Sequence, residues 1–477
     1  MLFARILQKS LGIISLIILA RLLTPEDYAV IAICTFVLYL GETLSSVGSE
    51  SFIVRKKNVS DEDLNTAFTL DFISKIGVWL VTVALIPVLV YLLDGYQELG
   101  LALFFSASII FINAFKNPGI YVLNREFKYS GIFTIQVIQK VVSFIIIISL
   151  AFIYNSYWAL IIGDIFFALI FVLGSYFISP YRPKFSLSGL AKQWAYSKWI
   201  MVSGIIGYLR AQLDTLVVSK LYAPVIVGRY HLIKQVSMMP ASDVLGPALV
   251  PLMTSYSKVK ENQEDLAYQF NLSVYVTLVF ITPICLYMAR YSDLIIEAAL
   301  GAKWIDSAPI MSIMAIMLFS YGINQLLGPI CMVKNKVKQL FIYDLLSFIF
   351  VFIALVYLLF NHLDIADFTL FRTLAAFIPV FIFLFYINRL LSISAGKMCS
   401  LQLPIIVISM ITLAVIELVS DELFENAFFN LFVHVSIYFV IYASSLWLLT
   451  SLQKDVHKEV EHFHQLVKRF VIKLKNH

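Results

Sequence analysis

The sequence predicts an all-α polytopic membrane protein with about 14 transmembrane helices, and three observations lead to this fold class. Hydrophobic residues make up 60% of the 477 residues, and charged residues make up only 14%. Soluble globular proteins carry about 25% charged residues. Apolar runs long enough to cross a bilayer recur along the chain. The polar sequence between them is too short for a soluble catalytic domain.

Hydropathy, with breaker residues as boundaries, predicts fourteen helices. Their ranges are 4–23, 28–48, 67–93, 99–123, 130–153, 157–178, 196–220, 227–256, 267–289, 306–332, 339–360, 367–388, 401–420 and 428–452. The first run follows Arg5 and Lys9, as in a signal peptide. The Ala20-Arg21-Leu22-Leu23 segment is a poor cleavage site, so we interpret this run as a span.

Lys and Arg are divided unequally between the two sets of loops. With a cytoplasmic N-terminus, 24 of the 35 Lys and Arg residues lie in cytoplasmic segments and only four lie on the opposite side. The four are Arg21, Lys220, Arg290 and Lys303. Cytoplasmic loops carry the excess of positive charge in membrane proteins. The chain is therefore predicted to have both termini in the cytoplasm, as an even number of spans requires.

The segment after the last span has its own pattern. Its apolar residues recur at steps of four and three, with Lys, His and Glu between them. They are Val456, Val460, Phe463, Val467, Phe470 and Leu474. This spacing predicts an amphipathic helix on the cytoplasmic leaflet.

A ten-residue pattern occurs twice, 199 positions apart. Residues 20–29 and 219–228 both read small, basic, Leu, apolar, small, Pro, followed by a helix start. Pro lacks an amide hydrogen and fits the first turn of a helix, so each copy predicts a tight corner. Asn124-Arg125 and Asn335-Lys336 form a weaker second pair. The predicted layout is an N-lobe of helices 1–6 (1–195), a C-lobe of helices 7–12 (196–400), helices 13–14 (401–452) and a tail (453–477).

Four segments carry a resemblance to a known family. Residues 20–52 contain the string Ala-Arg-Leu-Leu-Thr-Pro-Glu-Asp-Tyr, and residues 51–55, 61–68 and 123–127 provide further matches. Together they resemble the Wzx-type polysaccharide-transporter flippases of the multidrug/oligosaccharidyl-lipid/polysaccharide exporter superfamily, over roughly residues 10–260.

The resemblance implies two pseudo-symmetric six-helix lobes around a V-shaped cavity, plus two extra C-terminal helices. It implies export of a lipid-linked oligosaccharide, carried on polyprenyl pyrophosphate, across the bacterial inner membrane. A polysaccharide polymerase and chain-length proteins would be its protein partners. No nucleic-acid partner is expected.

Ionisable side chains inside predicted spans are costly and usually face a cavity or a partner. Arg and Lys around a wet cavity would lower the cost of moving a pyrophosphate through the membrane. The candidate anion contacts are Arg210, Lys140 and Lys234. The candidate coupling carboxylates are Asp164, Asp214 and Glu42.

A structural interpretation of the same charges stays open. Arg210 and Asp214, like Asp71 and Lys75, are four residues apart and would neutralise each other on one helix face. Lys75, Lys116 and Arg372 would instead extend to the membrane interface.

Proline residues interrupt several predicted spans. Since Pro kinks helices and broken helices commonly mark transporter gates, Pro118, Pro240, Pro247 and Pro329 are candidate hinges. Pro is also simply more frequent in membrane helices than in soluble ones.

No cofactor, metal site or catalytic residue is predicted. The four Cys residues lack metal-ligand spacing, and no GxxxxGK[ST] nucleotide motif occurs. A drug or cation exporter of the same superfamily is one alternative, and it would use a carboxylate-dominated site. A membrane-embedded polysaccharide polymerase is another, but it would need a large outer loop. The coupling ion can be a proton, sodium or none.

Overall fold

The computed structural model describes residues 2–93, 96, 98–361, 363–418, 424–453 and 455–475. At residues 2–6, 191–192, 195–200, 395 and 470–475 it describes the backbone alone. Across these described residues the regular structure is helical and no strand occurs. The chain forms two compact units, Met1–Leu232 and Ile233–His477.

Nine helices and the start of a tenth are described in the first unit. They are α1 (Leu2–Leu22), α2 (Pro25–Ser45), α3 (Ser49–Arg55), α4 (Asp61–Leu92), α5 (Leu99–Asn113), α6 (Gly119–Arg125), α7 (Ser130–Tyr154), α8 (Trp158–Ile178), α9 (Leu190–Leu221) and α10 (Pro224–Met239). The unit boundary falls within α10.

The second unit continues from α10 through a π-helical turn, Pro240–Leu245. Its further described helices are α11 (Gly246–Leu249), α12 (Leu252–Lys258), α13 (Gln263–Arg290), α14 (Ser292–Ala299), α15 (Ala308–Val333), α16 (Val337–Asn361), α17 (Ile365–Leu390), α18 (Ala395–Ile416), α19 (Ala427–Gln453) and α20 (Lys458–Lys475). A 3₁₀ turn, Ala302–Ser307, precedes α15.

The helices confirm the predicted all-α membrane class but not the count of fourteen spans. In the described part of the chain, twelve helical segments are long and apolar enough to cross a membrane. The helices at the first and fourth predicted spans, α1 and α5, are not among the twelve. Helix α5 has 15 residues and ends at Asn113, and the break that follows it contains Pro118.

Local sequence signals fix where several helices begin. Thr24 caps α2: its hydroxyl oxygen accepts a hydrogen bond from the Asp27 amide, and the Asp27 carboxylate accepts one from the Thr24 amide. Ser60 and Asp63 form the same capping box at the start of α4. Such boxes satisfy backbone amides that a helix leaves unpaired.

The two copies of the repeated corner meet inside the first unit. Pro25 and Pro224 are the first residues of α2 and α10. A Cβ atom on Gly228 would lie 1.7 Å from the carbonyl oxygen of Pro25, so only glycine permits this approach. Gly228 and Ala29 are equivalent positions of the repeat, and a Cβ on Gly228 would lie 3.0 Å from the Ala29 amide nitrogen.

Helix α9, which the repeat assigns to the C-lobe, packs on α2 within the first unit. The Tyr208 hydroxyl donates to the Phe36 carbonyl at 2.8 Å, and the two rings lie 5.7 Å apart. The lobe boundary at 195/196 stays a prediction.

The tail forms helix α20, and part of its apolar face packs on the second unit. Val460 is fully buried in the core there, and the Phe463 ring contacts Tyr275 of α13. Lys397 forms a 2.9 Å salt bridge with Glu459, whose side chain is 1% exposed. The predicted stripe residues Phe470 and Leu474 lie outside the described side chains.

Candidate functional site

A polar cavity of about 1120 Å³ lies inside the first unit, among α2, α4, α5, α7 and α8. Four basic and four acidic side chains line it. They are Arg55, Lys75, Lys116 and Lys140, and Glu42, Glu50, Asp71 and Asp164. Because basic and acidic side chains are equal in number, the cavity offers separate positively and negatively charged groups rather than an electrostatic potential of one sign.

Glu42 is held by two neighbouring helices. Lys75 of α4 donates to its Oε2 atom at 2.6 Å, and Asn113 of α5 donates to its Oε1 atom at 2.8 Å. Lys75 therefore pairs with Glu42 across helices, not with Asp71 of its own helix. A carboxylate with both oxygens bound in this way joins α2 to α4 and α5.

Asp71 has a different pair of donors. The Ser49 hydroxyl donates to its Oδ1 atom at 2.7 Å, and the Tyr121 hydroxyl donates to its Oδ2 atom at 2.8 Å. Ser49 is the first residue of α3, and Tyr121 lies in α6. These bonds place the short helices α3 and α6 against the cavity.

Lys116 lies in the break between α5 and α6. Asn117 locks this break: its side chain is fully buried, its Nδ2 donates to the Tyr181 carbonyl at 2.8 Å, and its Oδ1 accepts from the Gly119 amide at 2.8 Å. The Lys116 ammonium lies 5.1 Å from the Tyr121 ring and 5.4 Å from the Phe171 ring, as in cation–π contacts. Lys116 thus faces the cavity rather than the membrane interface.

Lys140 of α7 and Asp164 of α8 form the other charged pair. Both side chains line the cavity, and their opposite charges attract each other. Among the described residues, neither side chain forms a salt bridge or a hydrogen bond. The neighbouring Ser143 hydroxyl donates to the Gly163 carbonyl at 3.1 Å, which fixes α7 against α8.

Three of the predicted site residues lie elsewhere. Arg210, Asp214 and Lys234 are not part of this cavity's lining. Asp214 is buried in α9, where it accepts a 2.8 Å hydrogen bond from the Tyr230 hydroxyl of α10. That bond joins the two arms of the repeated corner. Arg210 and Lys234 are half-buried in α9 and α10.

The candidate hinges differ in their local structure. Pro118 lies in the locked break, while Pro240 opens the π-helical turn and Pro247 follows within α11. Pro329 lies inside α15, which continues past it. The π-turn that begins at Pro240 is a local departure from the α-helix, of the kind that often occurs at functional sites.

Sequence reasoning missed part of this site. It treated Lys116 as a candidate for the interface and did not single out Asn113, Tyr121 or Gln139. A polar residue inside an apolar span was the available signal, but only the fold shows which of them face one space. In the described part of the chain, no group of three or more His, Cys, Asp or Glu could hold a metal ion.

Known proteins match this chain over most of its length. A family model described as "Polysaccharide biosynthesis protein" matches residues 18–309. The chain is 22% identical over 357 residues to the lipopolysaccharide biosynthesis protein WzxC of Escherichia coli (strain K12), covering 73% of this chain and 72% of that protein. It is 21% identical over 305 residues to the succinoglycan biosynthesis transport protein ExoT of Rhizobium meliloti (strain 1021), covering 63% and 61%.

Solved structures share the fold. The lipid II flippase MurJ, in an inward closed conformation, matches with a TM-score of 0.75 and 18% identity, over 95% of this chain and 98% of that chain. An inward-facing multidrug resistance MATE family transporter matches with a TM-score of 0.61 and 13% identity, over 81% and 94%. At these identities the likeness establishes the fold.

Proposed function

The chain belongs to the polysaccharide biosynthesis protein family, and from this premise we propose that it is a flippase for a polyprenyl-diphosphate-linked oligosaccharide. The family match confirms the resemblance to polysaccharide transporters. The names of the relatives support an O-antigen, capsule or exopolysaccharide unit as cargo. The likeness to a lipid II flippase supports a lipid-linked substrate and a transporter rather than an enzyme.

The polar cavity of the first unit is the observation that carries this proposal. A diphosphate cannot cross the hydrocarbon core without compensation for its charge. Lys116 and Lys140 line the cavity, and neither forms a salt bridge with a described residue. Their ammonium groups can donate charge-assisted hydrogen bonds to phosphate oxygens. Arg210 and Lys234 would provide further anion contacts along the path.

Asp164 is the carboxylate best suited to couple transport to an ion. Glu42 is already held by Lys75 and Asn113, and Asp214 is held by Tyr230. Among the described residues, Asp164 forms neither a salt bridge nor a hydrogen bond, and Lys140 is its charged neighbour. An ion or proton on Asp164 would weaken its attraction for Lys140 and release that ammonium to the diphosphate.

We place the protein in the bacterial inner membrane with both termini in the cytoplasm. The 24-to-four division of Lys and Arg between the two sets of loops supports this orientation. Cargo would enter from the cytoplasmic leaflet and leave at the outer leaflet by alternating access. The π-helical turn at Pro240 and the nearby Pro247 are the proposed hinge.

Translocation into liposomes tests the function. Purified protein is reconstituted with undecaprenyl diphosphate N-acetylglucosamine, and galactosyltransferase added outside labels the sugar that reaches the outer leaflet. Lys140→Ala should slow labelling about 10- to 100-fold, the value of a hydrogen bond to a charged group. Lys128→Ala is the matched control, because Lys128 lies outside the cavity and pairs with Glu126.

A drug or cation exporter is the second candidate. Its support is the presence of four carboxylates in the cavity and the fold shared with a MATE transporter. If lipid-linked sugar is labelled at the control rate with the Lys140→Ala variant while Asp164→Asn abolishes ethidium efflux, the exporter function is supported and the flippase function is not.

A further inference from the structure

One polar atom of the cavity wall has no hydrogen-bond partner among the described residues. Gln139 of α7 is 6% exposed, and its Oε1 atom is buried without a hydrogen bond to any described residue. The side chain lines the cavity next to Lys140. A buried amide oxygen without a donor costs free energy. Because the Gln139 side chain lines the cavity, its amide can turn this oxygen towards a donor that enters there.

The surroundings of Gln139 define the donor's chemistry. Lys140 is the next residue, and Asp164 faces both from α8. This wall thus offers two acceptors, the Gln139 oxygen and the Asp164 carboxylate, beside one ammonium donor. The Ser143 hydroxyl is already bound to the Gly163 carbonyl. A matching ligand carries O–H or N–H donors close to an anionic group.

Aromatic side chains complete the same wall. Phe167 and Phe171 follow Asp164 on α8 at one and two turns and also line the cavity. They supply apolar surface for the C–H groups of a sugar ring, as in binding pockets that combine apolar walls with a few polar groups. The opposite wall differs, because Glu42 and Asp71 there have both oxygens bound.

We infer that Gln139 and Lys140 form a glycosyl-phosphate subsite, in which Gln139 accepts a hydrogen bond from a hydroxyl or acetamido group of the sugar next to the phosphate, and Lys140 binds the phosphate. This inference rests on the proposed flippase function and makes Gln139 a specificity-determining residue.

Binding to purified protein in lipid nanodiscs tests the subsite. The probes are farnesyl diphosphate and its glucosyl and N-acetylglucosaminyl conjugates, which carry hydroxyl and acetamido donors. The variant Gln139→Leu removes the acceptor at similar size, and Gln139→Glu keeps an acceptor oxygen. The matched control is Gln136→Leu, which lies one turn earlier on α7 and lines the same cavity but has no unpartnered buried atom.

The wild-type protein should bind at least one conjugate more tightly than farnesyl diphosphate. Gln139→Leu should lose this preference by about two- to tenfold, the value of one hydrogen bond. It should leave farnesyl diphosphate binding unchanged. Gln139→Glu and Gln136→Leu should keep the preference. The ligand-free melting temperature of Gln139→Leu should not fall, because an unpaired amide is replaced by an apolar group; a structural role would lower it.

Two results would overturn the inference: a wild-type protein that does not prefer either conjugate, or a Gln139→Leu variant that keeps the preference. Lys140→Ala separates this failure from failure of the proposed function. If Lys140→Ala weakens binding of all three probes while Gln139→Leu changes nothing, only the role of Gln139 in sugar recognition is wrong. If Lys140→Ala also changes nothing, the anion site and the proposed function fail together.

Discussion

The first unit lines a cavity with charged side chains, whereas polar side chains of the second unit join its helices. In the first unit, Lys116, Lys140 and Asp164 face a cavity without a salt bridge to a described residue. In the second unit, polar side chains of α19 bond to α13: the Tyr442 hydroxyl donates to the Val279 carbonyl, and His434 contacts the Tyr287 hydroxyl at 2.9 Å. The first unit therefore has polar side chains that join helices, such as Glu42, and others that remain available to a ligand, whereas Tyr442 and His434 of the second unit join helices.

Proline shows the same difference at two equivalent spans. In the fourth predicted span, Asn117-Pro118-Gly119 ends α5 and exposes Lys116 to the cavity. In the tenth, α15 continues through Pro329 inside a core where Leu326, Leu327 and Ile330 are fully buried. A helix break becomes a site only where the surrounding side chains leave space beside it.

The largest effect should follow loss of Lys116. Lys116→Ala should lower translocation of undecaprenyl diphosphate N-acetylglucosamine about 10- to 100-fold, because an ammonium near the diphosphate is removed. The melting temperature should change little, since among the described residues Lys116 forms no salt bridge and its ammonium lies near two ring faces. The matched control is Lys334→Ala at the end of α15, where Lys334 donates to Gln263.

A fall in melting temperature with unchanged transport by the folded fraction would assign Lys116 to stability. The contrast between the two units would then be wrong at this position. Equal transport losses in Lys116→Ala and Lys334→Ala would also contradict it, since the effect would then follow net charge rather than the cavity.

The sequence predicts the class of fold and the helix positions well, because hydropathy acts over whole spans. It finds Lys140, Asp164 and Glu42 because a charge in an apolar span is rare. It does not show that Lys75 turns to Glu42 rather than to Asp71, since this depends on how α2 and α4 pack. Gln139 is an uncharged residue in a long apolar helix, and only its missing partner in the packed structure distinguishes it.

Breaking the tail contact should have a smaller effect, and one on stability alone. Lys397→Ala leaves the buried Glu459 carboxylate without its cation and should cost about 2 kcal/mol, between the values for buried and exposed pairs because Lys397 is partly exposed. Chemical denaturation in detergent measures this loss. Glu459→Gln in the Lys397→Ala background should recover part of it. No recovery would mean that the buried charge is not the cause.

The smallest effect is expected where the second unit compensates for a backbone hydrogen bond that a proline removes. Pro283 has no amide hydrogen for the Val279 carbonyl four residues earlier, and the Tyr442 hydroxyl donates to that carbonyl at 2.8 Å. Tyr442→Phe should therefore cost about 1 kcal/mol of unfolding free energy, as hydrogen bonds between membrane helices do. Pro283→Ala restores the helical hydrogen bond, so Tyr442→Phe should cost much less in that background. A double-mutant cycle measures the coupling. Additive effects would show that the Tyr442 hydroxyl contributes independently of the missing Pro283 amide, and that it does not compensate for the proline.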